Sequence, residues 1–220
     1  CNSTKKEVAN DEPSKFHQEE VLQANVKKIQ SVSKSLQHAD SLPRHIVENK
    51  TNWDFVGVED WCSGFWLGVL WYAYEASNNP ILKAEAERFT EPLKKIAYTP
   101  AQNHDIGFMI YCSYGNGYRL TGNEAYKNVL LSAADTLATL YSPKVGTILS
   151  WPSQVHKFKY NTIIDNMMNL ELLFWAAKNG ENKALYDIAK SHAEKTMQHI
   201  VREDNACLLY TSDAADEEDS

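Results

Sequence analysis

The chain of 220 residues has little cysteine, glycine or proline, and each scarcity narrows its class. Its four cysteines, Cys1, Cys62, Cys112 and Cys207, stand far apart with no Cys-x-x-Cys pair. Neither a zinc site nor a dense disulfide framework is indicated, and Cys62 and Cys112, set among aromatics, read as small buried hydrophobes. Nine glycines and seven prolines are too few for a fibrous or low-complexity protein. No run approaches the roughly 18 to 20 uninterrupted apolar residues of a membrane helix. The motifs Gly-x-Ser-x-Gly, Gly-x-Gly-x-x-Gly and His-Glu-x-x-His, the P-loop and metal-ligand spacing are all missing. No cofactor and no metal are expected. What is present, 43% hydrophobic and 11% aromatic residues, can build a core and excludes wholesale disorder.

Net charge is also nearly absent from the body of the chain. The balance of 22 Lys plus Arg against 29 Asp plus Glu gives −7. Five of those acids (Asp213, Asp216, Glu217, Glu218, Asp219) fall in the last fifteen residues, which hold no Lys or Arg. Without them the body stands at −2, and no broad nucleic-acid-binding face is expected. The two ends read separately. Cys1 followed by Asn2, Ser3, Thr4, Lys5 and Lys6 resembles the start of a mature bacterial lipoprotein. Residues 1–14 are then a flexible tether, and an acylated Cys1 is the single membrane contact. That implies a periplasmic or outer-membrane-anchored protein of a Gram-negative bacterium. Residues 206–220 resemble a translated sequencing-adapter remnant and read as a non-native tail.

Between the ends the periodicity is helical. Residues 16–38 form an amphipathic segment with Val21, Val26, Ile29, Val32 and Leu36 on or near one face. A non-helical stretch, 41–60, follows. Three pairs come next, each an aromatic-rich apolar helix followed by an amphipathic one: 64–76 with 81–97, 106–120 with 124–141, and 163–178 with 182–201. The pairs are joined by Asn78-Asn79-Pro80, Thr121-Gly122-Asn123 and Asn179-Gly180-Glu181, which are stop-and-restart signals. Turn spacings of 43 and 58 residues are too long and uneven for a tetratricopeptide array. A helix apolar all round needs cover on every side, whereas an amphipathic one faces water. The alternation therefore predicts an all-α fold of two concentric layers, an α/α toroid, over residues 15–205. Loops entering the inner helices would gather at one mouth, bringing in Trp61, His104, Asp105 and Asp165.

Asp105 and Asp165 each sit at a predicted helix start, where Asp ordinarily caps free backbone N–H groups. The functional alternative is a carboxylate pair at a pocket mouth. Apolar neighbours and mutual repulsion would then hold a proton on one of them. His104 could donate to a substrate carboxylate or be an ordinary loop histidine. Trp61 and Trp151, in predicted loops, are the better sugar-stacking platforms; Trp66, Trp71 and Trp175 recur at helical spacing and read as core.

Three segments, Asp60-Trp61-Cys62-Ser63-Gly64-Phe65-Trp66 with Gly68 and Trp71, His104-Asp105-Ile106-Gly107-Phe108, and Ile164-Asp165-Asn166-Met167-Met168-Asn169-Leu170 running into Leu173-Phe174-Trp175-Ala176, are similar in order and spacing to the unsaturated glucuronyl hydrolases, glycoside hydrolase family 88. The resemblance covers about 16–205. It implies an (α/α)6 toroid, of which this chain would hold about the first half to two-thirds. It also implies a substrate: lyase-generated oligosaccharides, of glycosaminoglycan or similar origin, ending in a 4,5-unsaturated uronic acid. Asp165 is implied as general acid/base, Asp105 as the second essential carboxylate, and His104 and Trp61 as sugar-binding residues. Cys62 departs from the family's usual Thr. The family's further His, Arg and Trp for the substrate lie downstream of this chain. A half-toroid would expose apolar inner helices and be expected to fold poorly or lack activity. Two other readings share these features: a non-catalytic helical glycan-binding lipoprotein, and an unsaturated rhamnogalacturonyl hydrolase.

Overall fold

A computed structural model describes residues 17–206. The tether and its Cys1 anchor, and the tail from Cys207 on, lie outside the described residues. The elements are α1 (Gln18–Ser35), β1 (Leu42–Ile46), β2 (Trp53–Val56), α2 (Ser63–Ser77) and α3 (Pro80–Thr90), the last continued by a 3-10 helix, Glu91–Tyr98. Next come α4 (Ile106–Ile110), a π-helical turn (Tyr111–Gly115), α5 (Asn116–Thr121) and α6 (Glu124–Ala138). After β3 (Tyr141–Ser142), β4 (Thr147–Ile148) and the short α7 (Val155–Phe158), a 3-10 turn, Ile164–Asn169, leads into α8 (Leu170–Asn179) and α9 (Lys183–His199). Among the described residues no helix is long and apolar enough to cross a membrane.

The three helix pairs restart in one way. Asn78 takes a left-handed conformation with φ 51°, and Asn79 accepts the Ile81 N–H at 2.9 Å ahead of Pro80. Gly122, at φ 66°, precedes Asn123, which accepts from Ala125 at 3.0 Å. In the third turn the left-handed residue is Glu181, not Gly180, and Asn182 accepts from Ala184 at 3.1 Å. A left-handed residue reverses the chain and an asparagine cap nucleates the next helix.

The inner layer is α2, the helical run 106–121, and α8; the outer layer is α3, α6 and α9. α2 packs on α3, α6 on the 3-10 helix 91–98 and on α8, and α8 on α9. The predicted apolar stripe of the first outer helix, Leu82, Ala86, Phe89, Leu93 and Ala97, is fully buried. Val26, Ile29 and Val32 of α1, and Leu36 just after it, meet the core; Val21, assigned to that face by its spacing, is 44% exposed. Trp71 is completely buried and donates from Nε1 to Thr90 Oγ1 at 3.0 Å, joining the two layers.

The inner helices approach closely because glycine lines their contacts. A Cβ at Gly64 would stand 2.3 Å from the Met109 carbonyl oxygen, and one at Gly107 would stand 2.5 Å from Asn169 Cβ. Apolar side chains of the inner layer stay partly exposed: Val69, Tyr72, Met168 and Phe174 are 38 to 58% exposed. The sequence alone gave no strands in 41–60, yet β1 and β2 pair there as an antiparallel hairpin. Leu42 and Val58 bury completely or nearly so against the core, which anchors that hairpin over the start of α2.

Close packing at Gly64 makes a prediction. Gly64→Ala meets rigid backbone and should cost about 1–3 kcal/mol of overpacking. Gly122→Ala meets nothing within 4 Å and carries the left-handed penalty alone, about 1 kcal/mol. Urea unfolding of both variants should rank Gly64→Ala as the more destabilised; equal midpoints would contradict the close approach of α2 and α4.

Candidate active site

The mouth of the inner layer is built by loops that precede its helices. His104 ends the loop before α4 and is completely buried. Its backbone N–H donates to the Ser150 carbonyl at 3.0 Å, and the Ser150 N–H donates to the Asn161 carbonyl at 2.9 Å. Asn161 also clamps the next residue: its Oδ1 accepts from Trp151 N at 2.7 Å and its Nδ2 donates to Trp151 O at 3.2 Å. Asn166 Nδ2 donates to Ile148 O at 3.1 Å. The segment 148–151 thus ties the residue before Asp105 to the residue after Asp165. Distant stretches of chain converge through it.

The two aspartates do not cap their helices. Asp105 occupies the N-cap position of α4 but makes no side-chain cap bond, and no cap bond is made at the turn that carries Asp165. Asn169 serves α4 instead, its Oδ1 accepting the Phe108 N–H at 2.9 Å. Both carboxylates turn toward His104. Its Nε2 lies 2.9 Å from Asp105 Oδ1 and 3.5 Å from Asp165 Oδ1. Burial alone would lower the imidazole's pKa; contact with Asp105 and then Asp165, and the charge of both, outweigh it and raise the value to about 9. The two carboxylates therefore do not face each other alone: His104 stands beside both, and their charge favours its protonated form.

Accessibility separates the pair. The Asp105 side chain is 10% exposed and that of Asp165 41% exposed. Asp165 can therefore meet a ligand, while Asp105 backs His104. Trp151 lies half-buried with its ring centroid 5.6 Å from that of His104, tilted by 43°. Trp61 is 46% exposed. It stands edge-on to Phe65 at 6.0 Å, and Phe65 stacks on Phe108 at 5.4 Å in the first turn after Asp105. The structure thus gathers His104, Asp105, Asp165 and Trp151, and reaches Trp61 through two rings. Ser150, Asn161, Asn166 and Asn169 escaped the sequence reading, although Asn166 and Asn169 lie in the segment that resembles the family.

Other chemistry is less well served. Burial, followed by contact with Asp60, pushes the Cys62 thiol up to about 12, and burial also raises that of Cys112, so neither is a poised nucleophile. His104, Asp105 and Asp165 each offer a ligand atom within 4.8 Å of one another, and so could together hold a metal ion. A metal there would have to displace the proton that the two carboxylates stabilise on Nε2.

An imidazole between two carboxylates, set at the inner-helix mouth of an α/α toroid, defines a helical toroid protein with a site that can hold and move a proton. The comparisons name a family. The chain is 39% identical over 150 residues to an unsaturated glucuronyl hydrolase of Formosa agariphila, a match covering 68% of this chain and 37% of the relative. It is 34% identical over 149 residues to an unsaturated chondroitin disaccharide hydrolase of Streptococcus pneumoniae, covering 66% and 37% respectively. A crystal structure of an unsaturated glucuronyl hydrolase specific for heparin superposes with a TM-score of 0.78 at 38% identity, covering 86% of this chain and 51% of that one. No family model matches. The chain is a partial-length relative of the unsaturated glucuronyl hydrolases with their (α/α)6 toroid fold, and it spans well under half the length of the curated relatives it matches.

The charge arrangement fixes a pH response. Because folding raises the His104 pKa from 6.5 to about 9, its stabilisation is complete below pH 6.5 and is lost as pH rises through 9. The difference in unfolding free energy between the wild type and His104→Gln should shrink by about 3 kcal/mol across that window. A pH-independent difference in urea unfolding would show that the imidazole is not held charged between the carboxylates.

Proposed function

We propose that the protein is a glycoside hydrolase that removes a 4,5-unsaturated uronic acid from the non-reducing end of lyase-generated acidic oligosaccharides. The observation that supports this most is the asymmetry of the cluster: one accessible carboxylate, Asp165, beside a buried imidazolium–carboxylate pair. An inverting glycosidase separates its two carboxyl groups by about 6.5–9.5 Å to admit water between them. Here one oxygen of each carboxylate lies within 4.8 Å of the other. Asp105 is too enclosed to attack a sugar carbon. What remains is a single positioned acid/base, which is enough to hydrate an enol ether.

In that reaction Asp165 delivers a proton to C4 of the unsaturated ring. The double-bond electrons form the new C4–H bond, and positive charge develops at C5 and the ring oxygen. Asp165, now the base, takes a proton from water as the water oxygen bonds to C5. The hemiketal opens by breaking the bond from C5 to the ring oxygen, leaving a ketone at C5 and a hydroxyl on C1. That hemiacetal expels the aglycone sugar and becomes an aldehyde. One water is consumed and no redox change occurs. Asp165 draws the proton it delivers from His104 and passes the proton taken from water back to it, so the cluster ends with the charge it began with.

Incubation of the protein with unsaturated uronyl disaccharides should bleach the ultraviolet absorbance of the conjugated alkene. Asp165→Asn should lower that rate by roughly 10²- to 10⁴-fold with sugar affinity retained. Sugar binding with no bleaching by the wild type would favour the non-catalytic glycan-binding reading. Bleaching confined to rhamnogalacturonan fragments would favour the rhamnogalacturonyl hydrolase.

A further inference from the structure

The β1–β2 hairpin contains an irregularity beside Trp61. Pro43 pairs with Phe55 and His45 with Asp54, so the register slips and Arg44 is left over as a bulged residue. Bulges re-aim a side chain and recur next to binding sites. This one turns the Arg44 guanidinium over the Trp61 ring, with its central carbon 5.8 Å from the ring centroid. Arg44 Nη1 donates to Asp60 Oδ2 at 3.3 Å, and Asp60 Oδ1 accepts the Cys62 N–H at 3.1 Å. Asp60 therefore pins the guanidinium to the turn that presents Trp61. Among the described residues Asp60 is the one hydrogen-bond partner of Arg44, through one long bond, so most of its five donors stay unused. The side chains are open to solvent, Arg44 at 38% and Trp61 at 46%.

An exposed indole with a guanidinium fixed at its face offers a sugar ring a stacking surface and a substituent on that ring a fork of donors. The two-ring path from Trp61 through Phe65 to Phe108 links this pair to the first turn after Asp105. We propose that Arg44 and Trp61 form a subsite that reads an anionic substituent, sulfate or carboxylate, on an acidic oligosaccharide. For its substrate class the inference rests on the hydrolase reading; the contact itself does not require turnover.

The test is a binding titration by tryptophan fluorescence on wild type, Arg44→Ala and Arg44→Lys. It uses three unsaturated uronyl disaccharides: one sulfated on the second sugar, its unsulfated counterpart, and the methyl ester of the latter. Matching thermal midpoints confirm that the exposed bulge substitutions leave folding intact. Arg44→Ala should weaken the anionic probe about ten-fold, and Arg44→Lys, which keeps the charge and loses the fork, should weaken it less. A loss that follows the sulfate assigns sulfate to the subsite; a loss abolished by esterification assigns carboxylate. Equal affinities of wild type and Arg44→Ala for all three probes overturn the subsite. That readout is separate from bleaching, so a protein without hydrolase activity still decides the question.

Discussion

Everything at the mouth of this toroid depends on one buried imidazole set between two carboxylates. An imidazole with no exposed surface would ordinarily be neutral. The charge of Asp105 and Asp165 reverses that preference. The cluster holds the same number of protons whether one sits on His104 or has passed to a carboxyl oxygen. It is therefore a proton reservoir. The unequal exposure of the carboxylates then assigns the work. Asp165 faces outward to meet a ligand, and Asp105 stays behind to balance the imidazolium.

Such a cluster survives only if its members cannot drift apart. Two features hold them. Glycines at the helix contacts let backbones meet, so that α4 lies directly against α2 and against the turn bearing Asp165. Short polar clamps do the rest. Asn169 relieves Asp105 of the capping duty its position would impose, which frees the carboxylate to face His104. Ser150, Asn161 and Asn166 fasten the segment 148–151 to both sides of the site.

Sequence periodicity made the helical layers legible, because asparagine caps, left-handed turn residues and apolar stripes are local signals. The hairpin over α2 was not legible. Its strands are short, half-exposed and broken by a bulge at Arg44, so no alternation marks them. At the site, position alone favoured capping for Asp105 and Asp165; the toroid reading brought both to one mouth, and the resemblance to the unsaturated glucuronyl hydrolases gave each a role. What the sequence could not yield was the placement of His104 between them, since that rests on the Ser150 carbonyl 46 residues away in the chain. Asn161 and Asn169 were hidden for the same reason. An asparagine whose partner is distant in sequence looks like any loop or helix-end polar residue.

The central claim is that Asp165 hydrates an alkene and does not attack a glycosidic bond directly. The most direct measurement is the reaction run in heavy water and followed by NMR at early turnover, before the product ketone exchanges. The account predicts one deuteron at C4, added to a single face of the ring. A product that keeps its double bond and has been released by cleavage at C1, with no deuterium at C4, would contradict it.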